Sequence, residues 1–345
     1  MSQGKMGRVK RKVLYFTAPE QVEVREEPLP ALGAKDVLVE TTSSAISAGT
    51  EMLVYQGRFP RDLEADSVIS VLRGGFKYPL AYGYACVGLV RETGAYVDKS
   101  YLDKPVFAFQ PHTSHFVCKA ESLFLIPPSL SPDAACFLPN METAVNLVQD
   151  AAPLFGERVL VLGQGVIGLL TASLLNEFPL ETLIAADCHE LRRNMSPVKR
   201  HCSLNPDLPD FRNQAKALLS GGADLTVELS GRPETLNDAL ALTGFSGRIV
   251  IGSWYGEKRA EIDLGGVFHR SRIRLISSQV STIAPGLSGR WDKTRRFEVA
   301  WKALERIKPE KWITHRLSID QAKEAFKLLD EHPQETIQVL LQYNP

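Results

Sequence analysis

Residues 158–187 read RVLVLGQGVIGLLTASLLNEFPLETLIAAD, and this stretch decides the fold. The run RVLVL has the length and composition of a short buried strand. Gly163-Gln164-Gly165-Val166-Ile167-Gly168 follows at once and opens the helical stretch VIGLLTASLLNEF. A Gly-x-Gly-x-x-Gly is a weak pattern alone, but between a strand and a helix it has a physical meaning. Gly163 permits the tight turn, Gly165 lets backbone N–H groups approach a pyrophosphate, and Gly168 allows the helix to pack closely on the sheet. The diphosphate then rests on the positive end of the helix. The second strand, TLIAAD, ends at Asp187, nineteen residues past Gly168. A carboxylate there accepts hydrogen bonds from ribose hydroxyls and repels a 2′-phosphate, which predicts NAD(H) over NADP(H). Arg192 and Arg193 follow closely and would blunt that preference.

Outward from this stretch, strands and helices alternate. ADLTVELSG, GRIVIGSW and IRLISSQ are β-branched runs, with the helical stretches DFRNQAKALLS and RPETLNDALALTG between the earlier ones. Alternation of this kind predicts a doubly wound parallel sheet with helices on both faces. The first third differs: VLYFTA, QVEVREE, DVLVETTSSA, YACVGLVRETG, PVFAFQ and HFVCKAE are short strands punctuated by Gly and Pro. Such spacing suggests a compact β-barrel or sandwich-like domain. The last fifty residues return to helix, strand, helix and a final strand, TIQVLLQY. The boundaries expected are a disordered basic tail over 1–12 with order starting near Val13, a barrel-like domain over 13–150, a nucleotide-binding domain over 151–285, and a return over 286–345. One stretch, 61–77 (RDLEADSVISVLRGGFK), fits neither pattern. It reads either as a surface excursion with a short helix or as a lid hinged at Gly74-Gly75.

The chain has 345 residues, enough for two domains with a sizeable core. Forty Lys plus Arg balance forty Asp plus Glu, without the basic excess of a nucleic-acid-binding protein. Five widely spaced cysteines contain no CxxC pair, so neither a disulfide framework nor a zinc ribbon is encoded, and a reducing, cytoplasmic compartment is expected. The longest apolar stretch, 159–175, is interrupted by glycines, which argues against a membrane span.

Several segments carry a resemblance. ISAGTEMLVYQGRFP, YPLAYGYACVGLV, SGRIVIGSWYG and ITHRLSIDQAKEAFKLLD are similar to landmarks of the medium-chain dehydrogenase/reductase superfamily. The likeness covers about residues 13 to 343. Within it, ISAGTE and GYACVG look closest to a zinc-less branch with bacteriochlorophyllide dehydrogenase-like proteins. The resemblance implies a GroES-like β-barrel catalytic domain beside a Rossmann domain, and a homodimer joined through the latter. It places Thr143, Gly252, Ser253 and Ser278 around the nicotinamide. It also puts Gln338 where many relatives keep a basic residue for the diphosphate.

The departures from that pattern bear on the chemistry. Zinc alcohol dehydrogenases place a catalytic Cys where this chain has Ala48, a ligand His at Tyr84 and the adjoining Glu at Ala85, with a third ligand near Pro139. Glu142 is close to that third position but off its spacing, and the four-Cys structural loop is missing. A catalytic zinc needs three protein ligands, so no zinc is expected. A donor or general acid/base must then handle the hydroxyl proton. Tyr84 can hold a substrate oxygen through its phenol or pack into the space left by the metal. Glu51 can orient Tyr84 or accept the proton, or brace the loop against an arginine. Thr50 suits either a proton relay or a satisfied turn. His112, beside Pro111 on a loop, is the preferred histidine, and His115 reads as structural.

Arg270, Arg272, Arg274, Arg290, Arg295 and Arg296 crowd into two short runs. They read as a solvated helix face or as an anion-binding wall. The leading expectation is a zinc-independent, NAD(H)-dependent enzyme interconverting a secondary alcohol and a ketone on a fairly bulky substrate. The alternatives are reduction of an enone C=C bond, and a non-catalytic nucleotide-binding sensor.

Overall fold

The computed structural model describes residues 10–60, 75 and 77–343. The 61–77 segment read as an excursion or lid therefore lies outside the described residues, apart from Gly75 and Lys77. The chain divides into two units. One comprises 1–137, 313–331 and 338–345, and the other comprises 138–312 and 332–337.

The first unit opens with the strands β1 (Lys10–Ala18), β2 (Gln21–Pro28) and β3 (Asp36–Ile46). Its first strand begins three residues earlier than the expected order at Val13. Lys10, Arg11 and Lys12 pair in register with Pro28, Glu27 and Glu26, and their cations meet Glu26, Glu27 and Asp320. Helix α1 (Thr50–Tyr55) follows, then β4 (Leu80–Ala81), β5 (Cys86–Thr93), β6 (Pro105–Ala108), β7 (His115–Lys119), β8 (Phe124–Leu125) and the single turn α2 (Pro132–Ala135).

The second unit begins with α3 (Leu138–Ala151), β9 (Arg158–Leu162), α4 (Val166–Leu175), β10 (Thr182–Ala186), α5 (Glu190–Met195) and β11 (Ser203–Leu204). It continues through α6 (Phe211–Leu219), β12 (Ala223–Glu228), α7 (Leu236–Leu242), β13 (Thr243–Ile251), β14 (Arg274–Ser277) and α8 (Lys293–Ile307). Its six strands lie in the order β11-β10-β9-β12-β13-β14, all parallel. Counted from β9, that is the order 3-2-1-4-5-6 of a doubly wound dinucleotide fold. Alternation along β9 explains its continuous apolar sequence. Val159 and Val161 pack with Leu147, Leu225, Val227 and Val250, while Leu160 and Leu162 pack with Ile184, Phe211 and Leu240 on the other face.

The chain returns to the first unit with β15 (Ile313–Ser318), α9 (Ala322–Glu331) and β16 (Gln338–Gln342). The resulting sheet runs β15-β16-β3-β5-β6-β8, with β7 also paired to β3. Phe326 of α9 packs edge-on against Phe16 and stacks on Tyr55, which ties the C-terminal return to β1 and α1. The architecture is the Rossmann sheet plus GroES-like β-domain. The division falls at 137/138 and 312/313, whereas the sequence reading set 150/151 and 285/286. The reason is side-chain chemistry on α3 and α8, which share a buried ion-pair network.

Candidate functional site

The glycine turn is built as its sequence requires. Gly163 has φ +94°, a left-handed conformation, and a Cβ there would stand 2.5 Å from the Leu229 carbonyl oxygen. A Cβ on Gly168 would stand 2.0 Å from the Gly163 carbonyl oxygen. Gly165 is the N-cap of α4, and a Cβ on it would meet nothing within 4 Å. Gln164 is fully buried. Its amide nitrogen donates to the Gly163 carbonyl at 2.9 Å, and its amide oxygen accepts from Ser196 Oγ at 3.0 Å. The adjoining Val166 and Ile167 begin the helix.

Asp187 is 6% exposed and already engaged on both oxygens. Oδ2 accepts the Gln164 N–H at 2.7 Å, and Oδ1 accepts the His189 N–H at 2.8 Å. An ionised carboxylate oxygen has a second lone pair, so the clasp to the glycine turn leaves acceptor capacity. Arg192 donates to the carbonyls of Pro333 and Thr336, at 3.0 and 3.2 Å, and its Nη1 lies 4.0 Å from Asp187. Arg193 donates to the carbonyls of Asp187 and Cys188. Each guanidinium thus gives two of its five hydrogens to backbone oxygens. Asp187, Cys188 and His189 bring potential metal ligands within 4.8 Å of one another. Burial, then the Asp187 charge, pushes the Cys188 thiol up, and burial then Arg192 pushes the His189 imidazole down.

On α3, residues 142, 146 and 150 follow one another at helical spacing along one face. Glu142 is 3% exposed and accepts Nε and Nη2 of Arg296 at 3.1 and 2.9 Å, and it also pairs with Lys293. Arg296 Nη1 donates to Asn146 Oδ1 at 2.5 Å, and further guanidinium hydrogens reach the Thr282 and Val280 carbonyls. Asn146 donates to Ser278 Oγ at 2.9 Å, and Ser278 donates to Asp150 at 2.6 Å. Sequence reasoning grouped Arg296 with a surface arginine run, and the structure overturns that. Arg296 is fully buried, on the same helix face as Phe297, Ala300, Ala303, Leu304 and Ile307. That apolar spacing was the signal available. Thr143 donates to the Pro139 carbonyl at 2.9 Å. Ser253 accepts the Gly231 N–H at 2.9 Å, and Gly252 packs so tightly that a Cβ would meet Leu147 and Leu229 side chains at 2.5 and 2.6 Å.

In the first unit the structure brings Glu51 and His112 together. Both are fully buried, and Glu51 Oε2 lies 2.8 Å from His112 Nε2. Glu51 Oε1 accepts the Ser47 N–H at 3.0 Å, and Ser47 Oγ accepts the Thr50 N–H at 3.3 Å, so the pair clasps the start of α1. In place of the arginine brace open to Glu51, its partner is a histidine. Two residues that sequence reasoning missed extend this contact. Ser44 Oγ lies 2.6 Å from His112 Nδ1 and 2.7 Å from the Tyr343 hydroxyl, and both Ser44 and Tyr343 are buried. Gly83, with φ +122°, rests on the imidazole, where a Cβ would stand 2.8 Å from His112 Cδ2. Tyr84 is half-buried, edge-on to Tyr82. His115 contacts Ser114 Oγ at 3.1 Å, and burial pushes its imidazole down. Gln338 is buried and donates to the carbonyls of Ile46 and Val339, both at 2.9 Å.

No protein-family profile matches the chain. It is similar to D-guloside 3-dehydrogenase from Escherichia coli strain K12, 24% identical over 352 residues that span 95% of this chain and 99% of that protein. It is also similar to an uncharacterised zinc-type alcohol dehydrogenase-like protein of the same organism, 23% identical over 91% of this chain and 94% of that one. Among solved structures, a short chain alcohol dehydrogenase (rspB) from E. coli complexed with cofactor NADH has a TM-score of 0.76. The identity is 20%, covering 96% of this chain and 99% of that one.

Proposed function

We infer that this chain, a member of the medium-chain dehydrogenase/reductase superfamily and an oxidoreductase, interconverts a secondary alcohol and a ketone on a fairly bulky substrate, using NAD(H) and no zinc. The observation that carries the reading is the glycine turn at 163–168, whose open face at Gly165 heads α4 in a sheet of dinucleotide-binding order. Backbone amides of Gly163 to Gly168 would hold the diphosphate. Asp187 would take the ribose hydroxyls, and Thr143, Gly252, Ser253 and Ser278 would border the nicotinamide. When bound, the dinucleotide donates or accepts a hydride. Preference for NAD(H) is supported by the Asp187 charge. Arg192 and Arg193 each give two of five guanidinium hydrogens to backbone carbonyls, and the remaining donors would blunt that preference.

A catalytic zinc does not fit the donor set. Ala48, Tyr84, Ala85 and Pro139 offer no imidazole, thiolate or carboxylate. Glu142, the nearest carboxylate in sequence, is already paired with Arg296 and Lys293. Proton handling then falls to Tyr84. Its phenol O–H is a donor and suits donation to a carbonyl oxygen during reduction. Glu51 and His112 are too deeply buried to touch substrate, so they act as positioning residues behind Tyr84, through Gly83 and the Ser47–Thr50 turn. A cytoplasmic homodimer belongs to the same reading. The described cysteines are free thiols, and no helix among the described residues is long and apolar enough to cross a membrane.

The test follows NADH oxidation with a bulky saturated ketone and its α,β-unsaturated analogue, identifying products by mass and NMR. Alcohol formation by protein whose zinc content is far below one per chain is the expected result. Saturation of the C=C bond would instead move the protein to enone reduction, and activity that disappears on chelation would overturn the zinc-free chemistry. Tyr84→Phe should lower kcat by about 10²–10⁴-fold. An unchanged kcat would reduce Tyr84 to packing.

A further inference from the structure

We propose that Ser44 and Tyr343 are positioning residues that let the buried His112 imidazole take up and release one proton, making Glu51, His112, Ser44 and Tyr343 a one-proton store. Four elements meet to build it. Glu51 comes from α1, His112 from the loop after β6, Ser44 from the central strand β3, and Tyr343 from the end of β16. Ser44 stands opposite Cys86 of β5 and Leu341 of β16, and the Tyr343 N–H is pinned to the Thr42 carbonyl at 3.2 Å. The side chains of Glu51, His112, Ser44 and Tyr343 are all at least nine-tenths buried and joined in a line by contacts of 2.8, 2.6 and 2.7 Å.

The hydrogens in this line can be placed in two ways. Glu51 accepts the Ser47 N–H on one oxygen, and as a carboxylate it is an acceptor on the other. With one proton on His112, Nε2–H donates to Glu51, Ser44 donates to bare Nδ1, and Tyr343 donates to Ser44. With a second proton on Nδ1, both hydroxyls reverse. Nδ1–H then donates to Ser44, and Ser44 donates to Tyr343. A hydroxyl is both donor and acceptor, so neither state strands an imidazole nitrogen. A methyl group, or an amide fixed by other partners, would serve only one state. The other ionisable groups facing the line are Cys86, whose Sγ reaches the Gln110 and Pro111 carbonyls, and Cys136. Burial pushes both thiols up, which keeps them neutral while the imidazole exchanges its proton.

The role assigned to this store rests on the reading of Tyr84 above. During reduction the Tyr84 phenol gives its proton to the alkoxide oxygen, and the positive charge of the nearby imidazolium favours that release. Oxidation of the alcohol returns the proton to the phenolate, which the neutral imidazole favours. Gly83, the residue before Tyr84, lies against the His112 ring and sets the spacing between them.

The test is ¹⁵N NMR of histidine-labelled full chain across pH, with the His112 signals assigned by their loss in His112→Gln. The expected result is a reversible one-proton titration in which Nε2 stays protonated throughout and Nδ1 gains its hydrogen at low pH. Ser44→Ala should weaken proton binding about tenfold, because the charged Nδ1–H loses its only acceptor in the line. Ser44→Thr should restore it, and Tyr343→Phe, which strands the Ser44 hydroxyl hydrogen only when Nδ1 is protonated, should weaken proton binding in the same direction by less. An imidazole that never titrates, or Ser44→Ala matching wild type, would overturn the store. Ser44→Thr keeps the test informative if the alanine variant fails to fold. The pH profile of kcat separates the two claims. If the titration behaves as expected but the profile of Ser44→Ala stays unmoved, the link to Tyr84 fails while the store stands.

Discussion

Each unit buries a glutamate on a helix, and the two are partnered in opposite ways. Glu142 on α3 faces the guanidinium of Arg296 and the ammonium of Lys293. Glu51 on α1 faces an imidazole backed by two hydroxyls. A guanidinium holds five hydrogens in a fixed fork and does not release them under ordinary conditions. The cluster on α3 therefore has one arrangement of its hydrogens, and it works as a brace between α3 and α8. The line on α1 contains only groups that can turn or change protonation, so it has two arrangements. Burial alone does not distinguish structural from proton-handling carboxylates. The partner's ability to reverse does.

That contrast can be broken from either side. The largest effect is expected from Arg296→Met, which leaves Glu142 short of its main partner in a buried site. Removing one member of a buried pair costs about 3–5 kcal/mol, and the drop should show in urea unfolding. Changing both residues, Arg296→Met with Glu142→Leu, should recover much of the loss. A single variant as stable as wild type would mean that Lys293 alone satisfies Glu142. Next comes Gly168→Ala, whose Cβ would collide with the Gly163 carbonyl. NADH binding, followed by fluorescence, should weaken by about tenfold or more, equal to at least 1.4 kcal/mol, with both clusters untouched. Retained affinity would remove the turn from the nucleotide site.

Tyr343→Phe should cost only about 1 kcal/mol in the same unfolding assay, because one hydrogen bond is lost and the ring stays. A loss as large as that of Arg296→Met would make the hydroxyl line a brace too. The smallest effect concerns the ion pair between Glu157 and Arg248, which share two contacts of 2.7 Å. Burial, the largest single influence, raises the Glu157 carboxyl, but the Arg248 hydrogen bonds, the Leu154 N–H and the Arg248 charge together outweigh it and hold the group below its ordinary value. A depressed carboxyl stabilises the fold above its unfolded pKa of about 4.3, and that contribution is lost as pH falls through the folded value. The stability gap between wild type and Glu157→Gln should therefore narrow as pH is lowered below about 4. A gap constant with pH would assign the pair no linkage.

The glycine turn was legible in the chain because its causes are local. A strand, three glycines, a helix start and Asp187 lie within thirty consecutive residues, and steric limits on those few backbones leave little choice. The doubly wound sheet was legible for a similar reason, since the burial of its central strands β9 and β12 on both faces is written in their own apolar runs.

Other features depend on distant pairing and had no such local signature. Ser44 meets Tyr343 across 299 positions, and only the antiparallel register of β3 with β16 brings them together. His112 stood out as a loop histidine, but its burial and its contact with Glu51 follow from how that loop closes over Gly83. Arg296 read as a surface cation until α8 packed on α3 and turned it inward. Short-range sterics and periodicity act within a few residues and can be read along the chain. Which polar groups share a buried site is decided by strand register and helix packing, and these exist only when the whole chain has folded.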